Sequence, residues 1–514
     1  MTKATDIPAR STPAPTRVTR RGLLLGGLGA AGVGALAGCD ASSPTQDKTV
    51  GVPPSSPLTS VPRQRTFATT LTAQPATVDV GGHLMHTWAY GDTLPGRTLR
   101  ATAGDLLHIA VQNQLPADTT VHWHGVRVRN VADGVPGVTQ QPIRPGSTYL
   151  YEFTAPDPGT FFFHPHVGVQ LDRGLYAPLI LDDPHESGGY DHDWVIVLDD
   201  WIDGTGTTPD AVLKKLLAGG SMTSHSASSA RRSTTSTASS GGMGDMSMGP
   251  PPWGDAGDVR YPLYLINGKS PTDPVTFTGR PGQRARIRFI NAGSDTIFSV
   301  GLDGHRMKVT HTDGHPVRPR DVGALYIGMG ERYDVLVTLG DGAFGLFAKP
   351  FGKTGHALAV VRTGAGTAPA AGTPPPAQLD RQVLVGSTLQ PAAGTRLPAR
   401  APDRTVDLIL SGQMSPYRWA LNGAPYGKNT PISCRPGERL RLNIRNDTMM
   451  SHPIHLHGPT FALAETGLRK DTLLLAPMER RAIDLDPAPG NWMIHCHNVY
   501  HAEAGMMIVL SCAQ

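Results

Sequence analysis

Short stretches that alternate apolar and polar residues recur along this 514-residue chain. In three of them a glycine is followed nine residues later by an asparagine. The three stretches run from Gly104 to Asn113, from Gly282 to Asn291 and from Gly437 to Asn446. Alternation with a period of two is typical of a strand that buries one face. The repeat therefore predicts three β domains of common ancestry.

A second repeat links the first and third of these domains. In each, a glycine precedes the two members of a His-x-His pair by five and seven residues. The two examples are Gly159 with His164 and His166, and Gly490 with His495 and His497. In the middle domain Gly342 leads instead to Phe347 and Lys349. The middle domain is therefore predicted to have the same fold but to lack the His-x-His pair.

Composition also favours short strands over long helices. The chain contains 60 glycines and 46 prolines, whereas aromatic residues make up only 6% of it, a balance that suits many turns. At one domain per roughly 150 residues, the length also suggests three domains. We therefore predict an all-β protein.

Shifts in composition mark the domain boundaries. Residues 218–254 are rich in Ser, Gly and Thr, with methionines as almost the only large apolar residues, and are predicted to be disordered. The stretch 364–378 contains consecutive prolines and is predicted to be a linker. The predicted organisation is an export signal at 1–38, a tether at 39–64, a first domain at 65–185, a second domain at 190–363 that contains the insert, the linker, and a third domain at 379–514.

The charge distribution argues against a nucleic-acid partner. The formal net charge is +4, but the first 38 residues hold five basic residues and one acidic residue and so account for all of it. The remainder is neutral, which leaves no basic excess for binding a phosphate backbone. No apolar run is long enough to span a bilayer in the mature chain. Membrane contact is therefore expected only through the N-terminus.

The N-terminal segment resembles a twin-arginine lipoprotein signal. Arg20 and Arg21 precede a weakly apolar, glycine-rich stretch that ends in Leu-Ala-Gly-Cys at Cys39. The resemblance implies export in the folded state, an extracytoplasmic location in the cell envelope or periplasm, and a lipid anchor on Cys39. Two alternatives stay open: a chance arginine pair before a membrane anchor, and ordinary cleavage that leaves Cys39 as a free thiol.

Histidines are concentrated in four short clusters, which hold ten of the twenty in the chain. The clusters are His122 and His124; His164 and His166; His452, His455 and His457; and His495, His497 and His501. Residues i and i+2 of a strand point to the same side, so each His-x-His pair offers two imidazoles to one region of space. Imidazole suits copper, zinc, iron and nickel, so nitrogen alone leaves the metal open.

Cys496 narrows the choice of metal to copper. It lies between the two histidines of the last His-x-His pair, so its sulfur is predicted to point away from their imidazoles. With His452, His501 and a weak axial Met506 it completes the ligand set of a blue electron-transfer copper. Thiolate and thioether ligands suit copper that cycles between its cuprous and cupric states, whereas zinc has no redox chemistry.

In order and spacing, the four clusters resemble those of the multicopper oxidases, the family of laccases, copper-efflux oxidases and bacterial copper-resistance oxidases. The resemblance covers residues 65–514. It implies three consecutive cupredoxin-like Greek-key β-barrel domains and four copper ions as the cofactors: one of type 1, one of type 2 and a type 3 pair. The lipoprotein-like start and the block from His452 to Gly458 are most similar to bacterial copper-detoxifying oxidases.

The resemblance also assigns the copper ligands. The type 1 ligands would be His452, Cys496, His501 and Met506. The type 2 ligands would be His122 and His455, and the type 3 ligands would be His124, His164, His166, His457, His495 and His497. The trinuclear cluster would then lie between the first and third domains, with electrons passing from Cys496 to the flanking histidines. Four coppers can supply the four electrons that convert dioxygen to water.

An acidic residue beside the cluster assists proton delivery in this family, and the matching position here is Asp133. The alternative is an aspartate of a surface turn, since Gly134 follows it. A second family acid directly follows the last type 1 histidine, but here that position is Ala502. Glu503 comes one residue later, and its part is left open.

Two further features leave alternatives open. In an oxidising compartment Cys434 and Cys512 could form a disulfide or remain as two buried thiols. The methionines between Met222 and Met248 either collect Cu(I) through soft thioether sulfurs or belong to an insert without a task.

The function expected from the resemblance is oxidation of Cu(I), and also of Fe(II) or phenols, coupled to reduction of dioxygen to water, in copper detoxification. We expect the enzyme to be a monomer. One alternative is a copper-sequestering protein, but storage of copper needs no dioxygen chemistry and therefore no complete trinuclear ligand set. The other is a phenol-oxidising laccase of secondary metabolism, which depends on the depth of the type 1 pocket.

Overall fold

Strands form three consecutive units in the computed structural model, which describes residues 64–186, 188–220 and 253–513. Each unit consists of two β-sheets that pack their apolar side chains into the core. The predicted export signal, Cys39 and the segment from Met222 to Met248 lie outside the described residues. The prediction of an all-β protein built from three consecutive barrel-like domains is confirmed.

The first unit contains eight strands. They are β1 (Thr66–Asp79), β2 (Leu84–Tyr90), β3 (Leu99–Thr102), β4 (Leu106–Asn113), β5 (His122–His124), β6 (Thr148–Thr154), β7 (Gly159–His164) and β8 (Ala177–Asp182). One sheet has the order β2-β1-β4-β6 and the other has the order β3-β8-β7-β5. Short 3-10 turns cover Asn130–Ala132 and Leu171–Arg173.

The described residues of the second unit form eleven strands. They are β9 (His192–Trp201), β10 (Leu263–Ile266), β11 (Thr276–Thr278), β12 (Arg284–Asn291), β13 (Phe298–Leu302), β14 (Met307–Thr312), β15 (His315–Val322), β16 (Leu325–Ile327), β17 (Arg332–Thr338), β18 (Ala343–Pro350) and β19 (Ala357–Arg362). One sheet has the order β10-β9-β12-β17-β14-β15 and the other has the order β11-β19-β18-β13-β16. Two 3-10 turns follow, at Ala377–Leu379 and Gly386–Thr388.

The third unit also contains eleven strands. They are β20 (Arg404–Met414), β21 (Tyr417–Leu421), β22 (Ile432–Cys434), β23 (Leu440–Asn446), β24 (His452–Leu456), β25 (Phe461–Leu463), β26 (Arg469–Lys470), β27 (Thr472–Leu475), β28 (Arg480–Leu485), β29 (Gly490–Cys496) and β30 (Met507–Cys512). One sheet has the order β21-β20-β23-β28-β25-β26 and the other has the order β22-β30-β29-β24-β27.

The three units share one pattern of strand pairing. In each, the first strand runs parallel to the strand that ends in the repeated asparagine: β1 beside β4, β9 beside β12 and β20 beside β23. In each second sheet, the strand near the second repeated glycine lies between two antiparallel neighbours, as in β8-β7-β5, β19-β18-β13 and β30-β29-β24. The shared ladders agree with a common ancestry of the units.

The repeated asparagines form the same set of hydrogen bonds in all three units. Asn113, Asn291 and Asn446 are buried, and each ends its strand. Each side-chain amide donates to two backbone carbonyl oxygens and accepts the N–H of the residue two positions later. The glycines that begin the repeats have φ between 78° and 94°, a conformation that glycine adopts at little cost. The sequence repeat is thus a glycine turn, a strand and an asparagine-closed turn.

In the part of the chain that the structure describes, two α-helices accompany the strands: α1 (Pro209–Leu217) and α2 (Val499–Glu503). The side-chain oxygen of Asn498 caps α2 by accepting the backbone N–H groups of Tyr500 and His501. Because α2 follows β29 directly, this cap fixes the position of His501 relative to that strand. The described part of the chain contains no helix that is both long enough and apolar enough to cross a membrane.

Two boundaries differ from those predicted. Trp253, assigned above to the disordered insert, is buried, and its backbone carbonyl accepts a hydrogen bond from Ser451. The third domain is predicted from residue 379, but Leu384 forms a β-bridge with Leu325 of the second unit. The first strand of the third unit begins only at Arg404. Composition identifies polar segments, but the exact boundary of a unit depends on which unit each apolar side chain packs against.

Cys434 and Cys512 lie opposite each other in the parallel ladder between β22 and β30. Both are buried and both are free thiols, which is the second of the two alternatives above. Burial raises the pKa of the Cys434 thiol, and the neighbouring thiol raises it further.

Candidate metal centres

Four strands carry the clustered histidines to the junction of the first and third units. β5 lies beside β7 with His122 opposite His164, and β24 lies beside β29 with His455 opposite His495. Nine of the ten clustered histidines are buried, and His166 is half-buried. The sequence motifs, more than 300 residues apart along the chain, therefore meet in one place.

Eight of these imidazoles form three groups. Within each group the candidate ligand atoms lie within 4.8 Å of one another. The groups are His122, His124 and His455; His124, His164 and His497; and His166, His457 and His495. His122 Nε2 is 3.3 Å from His455 Nε2, and His164 Nε2 is 3.4 Å from His497 Nε2. The three groups together contain all eight residues predicted as type 2 and type 3 ligands, and the structure divides the six type 3 residues into two triplets.

Hydrogen bonds at the outer ring nitrogens direct the inner nitrogens at one another. The Nδ1 atoms of His122, His164 and His495 lie 2.9 Å from Asp133 O, 2.8 Å from Pro165 O and 2.9 Å from Cys496 O, respectively. A carbonyl oxygen can only accept, so Nδ1 carries the proton in each case. A neutral imidazole of this tautomer keeps its lone pair on Nε2, where it is available to a metal.

Burial lowers the pKa of most of these imidazoles, and in most of them a neighbouring imidazole lowers it further. The histidines concerned are His124, His164, His166, His455, His457, His495 and His497. Their rings are therefore neutral at neutral pH, and inner nitrogens with lone pairs face each other at hydrogen-bond distance. A bound cation would remove this repulsion, so the donor set fits metal ions.

A separate group lies on the opposite face of β29. Cys496 Sγ is 3.6 Å from His452 Nδ1 and 3.7 Å from His501 Nδ1. All three side chains are fully buried. Burial raises the pKa of the Cys496 thiol, so the sulfur carries a proton until a metal ion displaces it. Met506 is buried next to this group, and its carbonyl oxygen accepts the backbone N–H of Cys496 at 3.0 Å.

Neighbouring side chains fix the two histidines of this group. His452 Nε2 is 2.8 Å from Thr448 Oγ1, and His501 Nε2 is 2.8 Å from Asp258 Oδ2. Both rings therefore turn Nδ1 toward the sulfur. The ring of Trp419 covers His501 with a centroid distance of 4.0 Å.

Cys496 connects the two sites through the chain itself. Its neighbours His495 and His497 belong to two different imidazole triplets. Successive side chains of a strand point to opposite faces, so the sulfur faces one site while both imidazoles face the other. A thiol with two imidazoles suits an electron-transfer copper, and imidazoles alone also accept copper. Copper therefore fits both donor sets.

Asp133 lies inside the imidazole site and not on a surface turn. Its side chain is fully buried, and Oδ2 is 2.9 Å from His457 Nδ1. Gly134 does form a turn, with φ of 81°, and a Cβ atom there would lie 1.9 Å from the carbonyl oxygen of Val121. The Asp-Gly pair thus combines a tight turn with a carboxylate that contacts the histidines.

Two aspartates reach the sites although no sequence motif marks them. Asp471 Oδ1 is 3.4 Å from His124 Nε2, and Asp258 Oδ2 contacts His501 as described above. Neither aspartate belongs to a repeat or a His-x-His pattern, so the sequence carries no signal for them. Only their proximity to the histidines in the fold identifies them.

A small cavity of about 30 Å³ opens beside the imidazole triplets. Its walls include His164, His166, His495, His497 and Glu503. This volume accommodates a molecule of the size of water or dioxygen. Burial raises the pKa of Glu503 to about 7. The structure therefore places the carboxyl group of Glu503 at the cavity, whereas Ala502 has no acidic group to offer.

The other histidines of residues 64–186, 188–220 and 253–513 join none of these groups. His305 is one with a structural role, because its Nδ1 is 2.7 Å from Asp303 O and its Nε2 accepts the backbone N–H of Gly340. Both ring nitrogens are therefore used in local structure.

Protein-family models described as multicopper oxidase match residues 72–186, 192–368 and 399–513. The chain is 43% identical to the multicopper oxidase MmcO of Mycobacterium tuberculosis, over 95% of this chain and 96% of that protein. It is also 28% identical to a copper resistance protein A homolog of Pseudomonas syringae, over 85% of this chain and 90% of that protein.

Solved structures show the same similarity. The multi-copper oxidase from Pseudomonas thermotolerans superimposes with a TM-score of 0.66 at 26% identity, over 88% of this chain and all of that chain. The laccase from Botrytis aclada superimposes with a TM-score of 0.69 at 25% identity, over 87% of this chain and 88% of that chain.

Proposed function

Because this chain belongs to the multicopper oxidase family, an oxidoreductase family, we propose that it oxidises Cu(I), reduces dioxygen to water and thereby detoxifies copper. Fe(II) and phenols are proposed as further electron donors. One observation carries the proposal: Cys496 faces a site with His452 and His501, while its two chain neighbours each enter an imidazole triplet. Copper storage requires no such connection between two sites.

Bound copper would supply one-electron redox chemistry, and four ions would together hold the four electrons that dioxygen needs. His452, Cys496, His501 and Met506 would hold one of the ions. The eight grouped imidazoles would hold the other three, with His122 and His455 as the type 2 pair. The backbone from Cys496 to its flanking histidines keeps the two sites at a fixed separation.

Asp133 is proposed to hold a proton beside the imidazole site and to pass it on during turnover. Its Oδ2 atom is engaged by His457. Its Oδ1 atom is buried and lies 3.3 Å from His122 Nδ1, but the hydrogen of that nitrogen goes to the carbonyl oxygen of Asp133, so Oδ1 accepts no hydrogen bond within the described part of the chain. A carboxylate oxygen with a free lone pair next to the site can accept a proton and release it again.

The surroundings of His501 favour a small cationic donor. The ring is fully buried, Trp419 covers its face, and Asp258 occupies its outer nitrogen. A bulky phenol has no ring edge to contact there, whereas the negative charge of the Asp258 carboxylate, although buried, favours the approach of a small cation such as Cu(I) or Fe(II) through its electrostatic field. One relative is named as a copper resistance protein A homolog, which supports a role in copper resistance.

Dioxygen uptake by the copper-loaded protein tests the proposal. We expect uptake with Cu(I) as the electron donor, no release of peroxide, and a kcat/KM for Cu(I) above those for Fe(II) and for a bulky phenol. Uptake with none of the donors would identify a copper-sequestering protein. A kcat/KM that is highest for the phenol would identify a laccase.

We further propose that the protein is exported by the twin-arginine route and anchored by a lipid on Cys39. Cys39→Ala is then expected to move the protein from the membrane fraction to the soluble envelope fraction, because a covalent lipid supplies the membrane affinity. Fractionation and immunoblotting measure the change. As the control for export, Arg20→Lys combined with Arg21→Lys should retain the protein in the cytoplasm. An unchanged membrane fraction for Cys39→Ala would show that the apolar stretch itself is the anchor.

A further inference from the structure

Arg332 connects the middle unit, which carries none of the clustered histidines, to the imidazole site. Its side chain is fully buried and donates to residues of both other units. Nη1 is 2.6 Å from Asp471 Oδ1 and Nη2 is 2.6 Å from Asp471 Oδ2, so the guanidinium holds the carboxylate in two places. Nε donates to the carbonyl oxygen of Thr160 in the first unit at 3.1 Å. The orientation of the Asp471 carboxylate is therefore set by Arg332.

The fixed carboxylate in turn fixes a hydroxyl group. Thr472 Oγ1 donates its single hydrogen to Asp471 Oδ1 at 2.9 Å. The oxygen can then only accept from its other neighbours, which are His124 Nε2 at 3.2 Å and His455 Nδ1 at 3.1 Å. His124 must therefore carry its proton on Nε2.

This tautomer leaves the other nitrogen of His124 as the one with a lone pair. His124 Nδ1 is buried and has no hydrogen-bond partner within residues 64–186, 188–220 and 253–513. His122, His164 and His495 show the opposite arrangement, with Nδ1 at a carbonyl oxygen and Nε2 facing inward. We propose that Arg332 is a positioning residue that selects, through Asp471 and Thr472, Nδ1 of His124 as the copper-binding atom. The inference rests on the proposed copper site.

An ordinary interdomain ion pair would also bury an arginine at this junction, and Lys470 provides the matched comparison. Lys470 is fully buried, lies next to Asp471 in the chain, and joins the third unit to the second. Its Nζ atom is 3.0 Å from Asp313 Oδ2, 3.1 Å from Glu331 Oε1 and 2.8 Å from Thr312 Oγ1. The side chains of Arg332, Asp471 and Thr472 form no hydrogen bond with Lys470, although Asp313 also accepts the backbone N–H groups of these three residues. Lys470→Met therefore removes a buried interdomain cation and leaves the side-chain hydrogen bonds from Arg332 to His124 in place.

The experiment compares wild type, Arg332→Met and Lys470→Met after copper loading. The readouts are copper equivalents per chain, affinity by chelator competition, the blue absorbance of type 1 copper and the near-ultraviolet absorbance of the type 3 copper pair. For Arg332→Met we expect a loss of about 10- to 100-fold in copper affinity at the imidazole site, as for other residues that orient metal ligands, and a weakened type 3 absorbance with the blue absorbance kept. For Lys470→Met we expect wild-type copper content and spectrum, whatever its melting temperature.

A second pair of variants keeps the inference testable if Arg332→Met does not fold. Thr472→Val removes the hydroxyl group and should weaken the type 3 absorbance as Arg332→Met does, whereas Thr472→Ser keeps the hydroxyl group and should keep the wild-type absorbance. The inference is overturned if Arg332→Met and Thr472→Val keep the wild-type spectrum and affinity, or if Lys470→Met changes both as much as Arg332→Met. Failure of the proposed function has a different signature, because wild type itself would then bind no copper or consume no dioxygen.

Discussion

Cys496→Ser is expected to remove both the blue colour and the oxidase activity. The colour of a type 1 copper requires a thiolate ligand, and Cys496 is the cysteine whose sulfur lies with His452 and His501. A serine hydroxyl in this fully buried position is a hard, neutral donor that does not replace the thiolate. Electrons would then lack an entry to the imidazole site, and activity should fall to background. Absorbance and dioxygen uptake with Cu(I) measure the two losses.

Cys512→Ser is the matched control for this variant. Cys512 is also a buried free thiol of the third unit, but it lies beside Cys434 and outside the metal-binding groups. It should keep both colour and activity. Strong blue absorbance in Cys496→Ser, or loss of colour in Cys512→Ser, would contradict the assignment of the type 1 site.

Asp133→Asn is expected to slow turnover by about 100-fold, the lower end of what a positioned proton-transfer group contributes. The amide keeps the shape of the carboxylate but can no longer hold a proton next to His457. The blue absorbance should remain, because Asp133 contacts His122 and His457 and not the group around Cys496. The measurements are kcat at saturating Cu(I) and absorbance on the same preparation.

Asp92→Asn serves as the control, since Asp92 is an exposed aspartate in a turn of the same unit. Its turnover should equal that of wild type. If Asp133→Asn were only less stable, with unchanged kcat across the pH range, the turn would be the whole role of Asp133. If it lost copper from the imidazole site, Asp133 would orient ligands and would not transfer protons.

Most of the features that could be predicted from the sequence follow from local strand geometry. The period of two on a strand predicts that each His-x-His pair shares a face and that Cys496 points away from its neighbours, and both features are present. The repeat from glycine to asparagine predicts three related β domains, because each such strand needs the same turn at its start and the same side-chain cap at its end. These relations involve residues close together in the chain, so a pattern can express them.

Relations between distant residues were decided only by the tertiary structure. Arg332 and Asp471 lie 139 positions apart, and Asp258 lies 243 positions from His501. No sequence pattern identifies the residue with which a charged side chain will pair. The sequence is equally compatible with each of these side chains lying in solvent. Trp253 illustrates the same limit, because a tryptophan at the end of a polar segment packs wherever the fold leaves an apolar space for it. Local periodicity follows from backbone geometry. The pairing of buried charges follows from the high free-energy cost of burying a charge without a partner, and this cost arises only when the units pack together.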